Sequence, residues 1–245
     1  MLRNPVRILI GLSLLGILPL LSAEEKLQQV QVSTTERMNF VSGGTIRINP
    51  SYGDLRVEGW DLPEVEITDV KSTPFDYKPK QPEESSRHLE SVRILTERKS
   101  PTELVISTTL PTRSGLFSLF LPHKTTDSVA IEYKIHVPRN SNLVIHHGTG
   151  SVLVGDVTGN IEATCSRGDI VLMLPETGAY SFDAKSKLGV VVSDFEGTPQ
   201  LRRYRLGERY VAEKSPSLEI RLRVGFGGIT IKSVPSEAYA ADRTK

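Results

Sequence analysis

The 245-residue sequence has a single cysteine, almost no net charge, and no apolar run long enough to cross a membrane. Cys165 has no partner within the chain, so no internal disulfide staples the fold, and a small buried apolar role suits it better than a reactive thiol. Thirty basic residues against 29 acidic ones leave no field that would draw in nucleic acid or an anionic membrane over long range. The longest apolar stretch, residues 8–21, covers about fourteen residues, short of the ~20 that a spanning helix needs. A Gly-x-Ser-x-Gly nucleophile elbow is absent, and Gly148-Thr149-Gly150 opens a strand where a phosphate loop would open a helix. His146 and His147 are adjacent, so on a strand they face opposite ways and cannot chelate one ion; His88, His123 and His136 show no ligand spacing. Calcium-binding nonapeptide repeats need paired glycines and an aspartate in every unit, which this chain does not supply. Neither a cofactor nor a metal is expected.

The N-terminus reads as an export signal. Arg3 and Arg7 precede the apolar run, and Leu21-Ser22-Ala23 offers a small residue before a cut, so residues 1–23 are expected to be removed. Losing Arg3 and Arg7 takes the basic residues to 28 against 29 acids, and the mature chain carries about −1. A periplasmic, outer-envelope or extracellular address follows, with no integral span left after processing.

Residues 148–195 set the architecture. Gly150, Gly159 and Gly168 stand nine apart, each followed by a small polar or acidic residue (Ser151, Asn160, Asp169) and then an apolar one (Val152, Ile161, Ile170). Apolar residues then recur every second place, at 152 and 154, at 161 and 163, and at 170, 172 and 174. Period two puts these on one strand face, with Leu153, Glu162, Thr164, Val171 and Met173 on the other. Five residues of strand cover roughly 17 Å, and a glycine, which reaches positive φ without a Cβ clash, turns the chain between strands. Two such units make one coil of a flattened solenoid, each burying its apolar face by stacking on the next. The same cadence occurs at residues 44–48, 53–60 and 228–231, bracketing the mature chain and favouring one all-β domain. An antiparallel β-sandwich is the alternative, since it needs the same short strands and turns.

On this reading residues 24–42 are a lead-in, 43–234 the repeat domain and 235–245 a tail. Two segments interrupt the repeat. Residues 71–87 carry three prolines and seven charges, which fits a polar surface loop and not a central strand. Residues 113–126 contain the most apolar piece outside the signal, with Leu116, Phe117, Leu119 and Phe120. This insertion either caps an open end of the solenoid or presents a contact surface to a partner. A third segment, residues 201–211, places Arg202, Arg203 and Arg205 around Tyr204, a mixture that can grip an anionic partner or simply form a solvated strand. Those eight side chains are the candidate partner-binding residues.

Catalytic pairs are harder to assemble. Asp54, Glu58, Glu64, Glu66, Asp156, Glu162 and Asp169 are available, but glycoside hydrolysis needs two carboxyls about 5 to 9 Å apart with separated pKa values. Asp54 and Asp169 follow corner glycines, where Ser and Asn serve equally well in turns, and no catalytic residue is assigned.

The phrases at residues 53–67 (GDLRVEGWDLPEVEI), 133–172 and 220–231 (IRLRVGFGGITI) resemble the bacterial putative-adhesin domain family, a family of unknown function with β-solenoid repeats. The resemblance covers about residues 43–234 and lies in cadence, so it carries over no functional residue. It implies an exported, non-enzymatic protein that binds or scaffolds at the cell envelope or surface, through an unknown protein or glycan. The rival readings are a glycan-processing enzyme on a parallel β-helix and a periplasmic partner of an envelope signalling system.

Overall fold

The computed structural model describes residues 31–73, 89–90, 92–109, 129–196, 198–201, 207–212 and 218–235. The first strands are β1 (Gln31–Asn39), β2 (Thr45–Asn49), β3 (Asp54–Trp60), β4 (Glu64–Ser72), β5 (Arg93–Ser100) and β6 (Glu103–Thr109). Next come β7 (Ala130–Pro138), β8 (Asn142–Thr149), β9 (Val152–Gly155), β10 (Ile161–Arg167) and β11 (Ile170–Pro175). The last are β12 (Tyr180–Leu188), β13 (Val191–Ser193), β14 (Thr198–Leu201), β15 (Glu208–Ala212), β16 (Leu218–Phe226) and β17 (Ile229–Val234). The protein is all-β. One sheet runs β1-β4-β7-β3-β9-β11-β17-β13 and the other β14-β15-β12-β16-β10-β8-β2-β6-β5.

From β8 to β13 the chain changes sheet at every strand. Each nine-residue unit therefore takes it across, and the next brings it back, so neighbours within a sheet run parallel. Ile161 pairs with Leu143 and Ile170 with Val152, each eighteen residues on. The inner pairs are parallel, and antiparallel pairs appear only toward the ends, at β1·β4, β4·β7, β5·β6, β12·β15 and β14·β15. At one end Thr96 of β5 donates to Glu36 of β1, and Arg98 donates to the Asn39 carbonyl, joining the two sheets.

Strand order departs from chain order at the other end. β16 inserts between β10 and β12, and β17 inserts between β11 and β13. Ile220 is thus flanked by Ile161 and Phe182, and Ile229 by Ile170 and Val191. The alternation predicted from sequence sets which faces meet. Leu104, Ile46, Leu143, Ile161, Ile220 and Phe182 form one buried row across the second sheet. Leu55, Val152, Ile170 and Ile229 form the facing row across the first.

The corners stack with the strands. Gly53, Gly150, Gly168, Gly227 and Gly189 all have positive φ, between +106° and +148°. A Cβ on Gly150 would sit 1.9 Å from the Gly53 carbonyl oxygen, and each later step of that ladder gives 2.0–2.1 Å. Glycine is required there by the close approach of successive backbones as well as by φ. Gly159 lies outside this ladder, at a corner where a Cβ would meet the Ser141 oxygen at 2.1 Å.

Residues 71 and 72, expected to open the polar loop 71–87, belong to a strand, and residues 74–87 of that segment lie outside the described residues. β4 continues to Ser72, with Asp69 and Lys71 on its buried face as an ion pair at 3.0 Å. Charge content pointed to solvent, but a paired charge can be buried where a lone one cannot.

Candidate functional site: a cationic groove beside an apolar corner

Alternation along β12 buries Ala184 and Ser186 and turns Lys185 and Lys187 outward. On β16 it turns Arg221 and Arg223 outward, followed by Gly225; on β10 it turns Thr164 and Ser166 outward. Because β16 lies between the other two, Arg223 stands in register with both Lys185 and Thr164. The result is an open groove of about 470 Å³ lined by Thr164, Ser166, Lys185, Lys187, Arg223 and Phe226, with Gly225 as its floor. A Cβ on Gly225 would lie 2.4 Å from the Ser166 carbonyl oxygen, so the floor stays bare. The volume falls within the ~300–1,000 Å³ of small-molecule sites.

The charges divide into fixed and free ones. Asp183 accepts from Arg209 Nε at 2.9 Å and from Arg223 Nη2, while Arg223 Nη1 donates to the Asp183 and Leu222 carbonyls at 2.6 and 2.9 Å. Partial burial pushes the Asp183 carboxyl up, but the two guanidinium hydrogen bonds and charges outweigh it and hold the pKa below the usual carboxylate range. The Asp183 hydrogen bond in turn raises Arg209. Those two arginines are braces. Lys185 and Lys187, by contrast, have no ion pair or hydrogen bond among the described residues, leaving two ammonium groups free on the groove wall.

Where β12 and β16 end, the surface becomes apolar. Leu188 and Phe226 are register partners, exposed by 36% and 56%, and Val190 and Val192 follow around the corner at 55% and 52%. Seven large apolar side chains are exposed among the described residues, and these four share one corner. The Arg167 guanidinium sits 6.0 Å from the Phe226 ring centroid, adding a cation to the rim.

The eight side chains singled out from sequence, Leu116, Phe117, Leu119, Phe120, Arg202, Arg203, Tyr204 and Arg205, lie outside the described residues. The strand that leaves the arginine segment does reach the groove: a Cβ on Gly207 would fall 2.4 Å from the Lys187 oxygen, and Arg209 pairs in register with Lys185. Tyr210 turns inward, where its hydroxyl donates to the Phe195 carbonyl at 2.8 Å. Sequence reasoning missed Lys185, Lys187, Arg223 and Phe226. Two lysines two residues apart on an alternating strand were a legible sign of a basic face, but their partners on β16 were not.

Several of the polar residues weighed from the sequence have structural partners. Asp54 Oδ1 accepts from the Ser151 amide at 2.9 Å and its hydroxyl at 2.6 Å, and Asp169 Oδ1 accepts from the Gly228 amide at 2.6 Å. Asn142 and Asn160 do the same at the other edge, so corner side chains tie each turn to the next one in the stack. His146 is exposed against Asn49, whereas His147 is buried with neither ring nitrogen hydrogen-bonded. Cys165 is its buried register neighbour, and burial pushes the thiol up. On the outer face of the first sheet, His136 stacks on Trp60 at 5.0 Å, with Glu66 3.0 Å from Nδ1 and Glu58 3.3 Å from Nε2. Burial raises Glu66, and Arg37 and His136 outweigh it, so its carboxyl is held low instead of being raised as a glycosidase acid requires. Among the described residues no set of three or more His, Cys, Asp or Glu side chains is arranged to hold a metal ion.

No family model matches the chain, and no curated protein is similar to it. Several solved bacterial structures can be aligned with the chain. A "putative cell adhesion protein" from Clostridium sporogenes has 14% identity and a TM-score of 0.49, over 83% of this chain and 100% of that one. A "putative adhesin" from Parabacteroides distasonis has 12% identity and a TM-score of 0.24, over 66% of this chain and 61% of that one. A "putative lipid binding protein" from the same species has 7% identity and a TM-score of 0.24, over 83% and 95%. At these identities and scores none of them assigns a ligand or an activity to this chain. No helix among the described residues is long and apolar enough to cross a membrane.

Proposed function

We propose that the protein is exported and acts as a non-catalytic binding or scaffolding protein of the bacterial envelope or cell surface, meeting its partner through the groove on the second sheet. The observation that carries this reading is a bare-floored groove walled by two free lysines, with no carboxylate among its described lining residues and the neighbouring Asp183 tied up by two arginines. Such a wall attracts an anion and offers no acid and base matched for turnover. Export rests on residues 1–23, and it places the groove where envelope polymers and lipids are available.

Two measurements test this. Protein recovered from cells that make it should begin near Glu24 in an envelope or extracellular fraction. Purified mature protein should sediment with isolated envelopes, and Lys185→Glu with Lys187→Glu should abolish that. A chain beginning at Met1 in the cytoplasm, or equal sedimentation of the double variant, would refute the reading.

A further inference from the structure

We propose that the corner formed by Leu188, Val190 and Phe226, with Lys185 and Lys187 beside it, docks onto an anionic phospholipid surface. This rests on the reading above that the groove is the partner-facing surface, and it names the partner. The apolar side chains lie where the chain turns between its two sheets, so they project from a convex edge. A convex apolar edge suits insertion into an interface better than enclosure of a soluble ligand. The two lysines are unpaired one and three residues behind Leu188 along β12, where lipid phosphates would stand if the apolar tips entered the headgroup region.

Charge complementarity is local. The chain as a whole is near neutral, but among the described residues around this corner Lys185, Lys187, Arg167, Arg209 and Arg223 outnumber the carboxylates Asp183, Asp169 and Glu208, and Asp183 is paired with two of the arginines. Arg167 adds a cation on the opposite side of Phe226. A near-neutral protein with a cationic, apolar-tipped corner binds an anionic surface by that corner and is released by salt.

The test is co-sedimentation of the mature chain with vesicles of phosphatidylglycerol and phosphatidylcholine, beside vesicles of phosphatidylcholine alone. Binding is expected only with phosphatidylglycerol, weakening as salt is raised. Each lysine near an anionic surface contributes on the order of 1 kcal/mol, so Lys185→Gln with Lys187→Gln should lower the partition coefficient about thirty-fold. Leu188→Ser with Phe226→Ser should also reduce binding, and soluble glycerol phosphate should not compete, since the surface and not the free headgroup is recognised. All four side chains are at least partly exposed, and unchanged melting curves would show that the variants fold. Binding that ignores Leu188→Ser with Phe226→Ser, or that glycerol phosphate abolishes, overturns the lipid-surface proposal. If vesicles fail but lysine-dependent sedimentation with envelope polysaccharide persists, the proposal falls and the envelope-binding function stands. If both fail, both fall.

Discussion

Replacing Gly168 by alanine tests the stacked corners directly. The residue has φ +130°, and its new Cβ would lie 2.0 Å from the Gly150 carbonyl oxygen and 2.7 Å from the carbonyl carbon. Both neighbours are backbone, so no side chain can swing away. The φ alone costs roughly 1–3 kcal/mol in a non-glycine residue. Relieving the collision moves strands joined by the Gly150 N–H to Arg167 and Gly168 N–H to Phe226 hydrogen bonds, both 2.9 Å, and a weakened bond adds about 1 kcal/mol. The expected loss is about 4 kcal/mol, lowering the melting temperature by about 10 °C in a chain of this size. Two glycines separate the causes. Gly43 has φ +80° with nothing within 4 Å of a Cβ, so Gly43→Ala should cost only the strain, about 1–2 kcal/mol. Gly228 is outside the positive-φ set and would meet Asp169 Oδ1 at an ordinary 3.5 Å, so Gly228→Ala should stay within about 0.5 kcal/mol of wild type. Urea melts of the three variants decide it. Equal losses, or a Gly168→Ala effect no larger than that of Gly43→Ala, would refute the stacking account.

Two further outcomes follow from burial. Ile170→Asp should cost about 3 kcal/mol or more, because it sets an unpaired charge in the buried row, whereas Val171→Asp on the outer face should cost under about 1 kcal/mol in the same melts; similar values would mean the register is wrong. His147 is held neutral chiefly by burial, its folded pKa lying below the ordinary histidine value despite the pull of nearby carbonyls and Asp54. The unfolded chain therefore binds more protons, and stability should fall as pH drops from about 6.5 through the lower folded pKa. His147→Leu should remove that portion of the pH dependence, and an unchanged profile in urea melts from pH 7.5 to 5 would contradict it.

Much of the local structure was legible from the sequence. Period-two alternation gave the buried members of β10 and β11, because side-chain direction along a strand is fixed by backbone geometry whatever the partner strand is. It also separated His146 from His147, one exposed and one buried. Corner glycines showed through their spacing, yet Gly150 and Gly159 turned out to belong to different edges, since one nine-residue unit is only half of a circuit. Lys71 misled, because a charge signals solvent in sequence and its partner Asp69 is recognisable only once both face inward from β4. In the sequence Glu66 is only one of seven available acids. Packing against His136 and Arg37 could not be read from residues that stand far apart in the chain.

By itself, then, the sequence determined strand faces, turn positions and the all-β class, each of which depends on residues within about ten of one another. Tertiary structure decided which strands are neighbours. β16 could have followed β12 at the end of the stack, where chain order would put it, but it lies between β10 and β12. That placement sets Arg223 between Lys185 and Thr164, puts bare Gly225 beneath them, and brings Phe226 beside Leu188. Residues about twenty to sixty positions apart make one surface because backbone hydrogen bonding between parallel strands is indifferent to sequence distance, and only the packing of whole strands chooses among the possible partners.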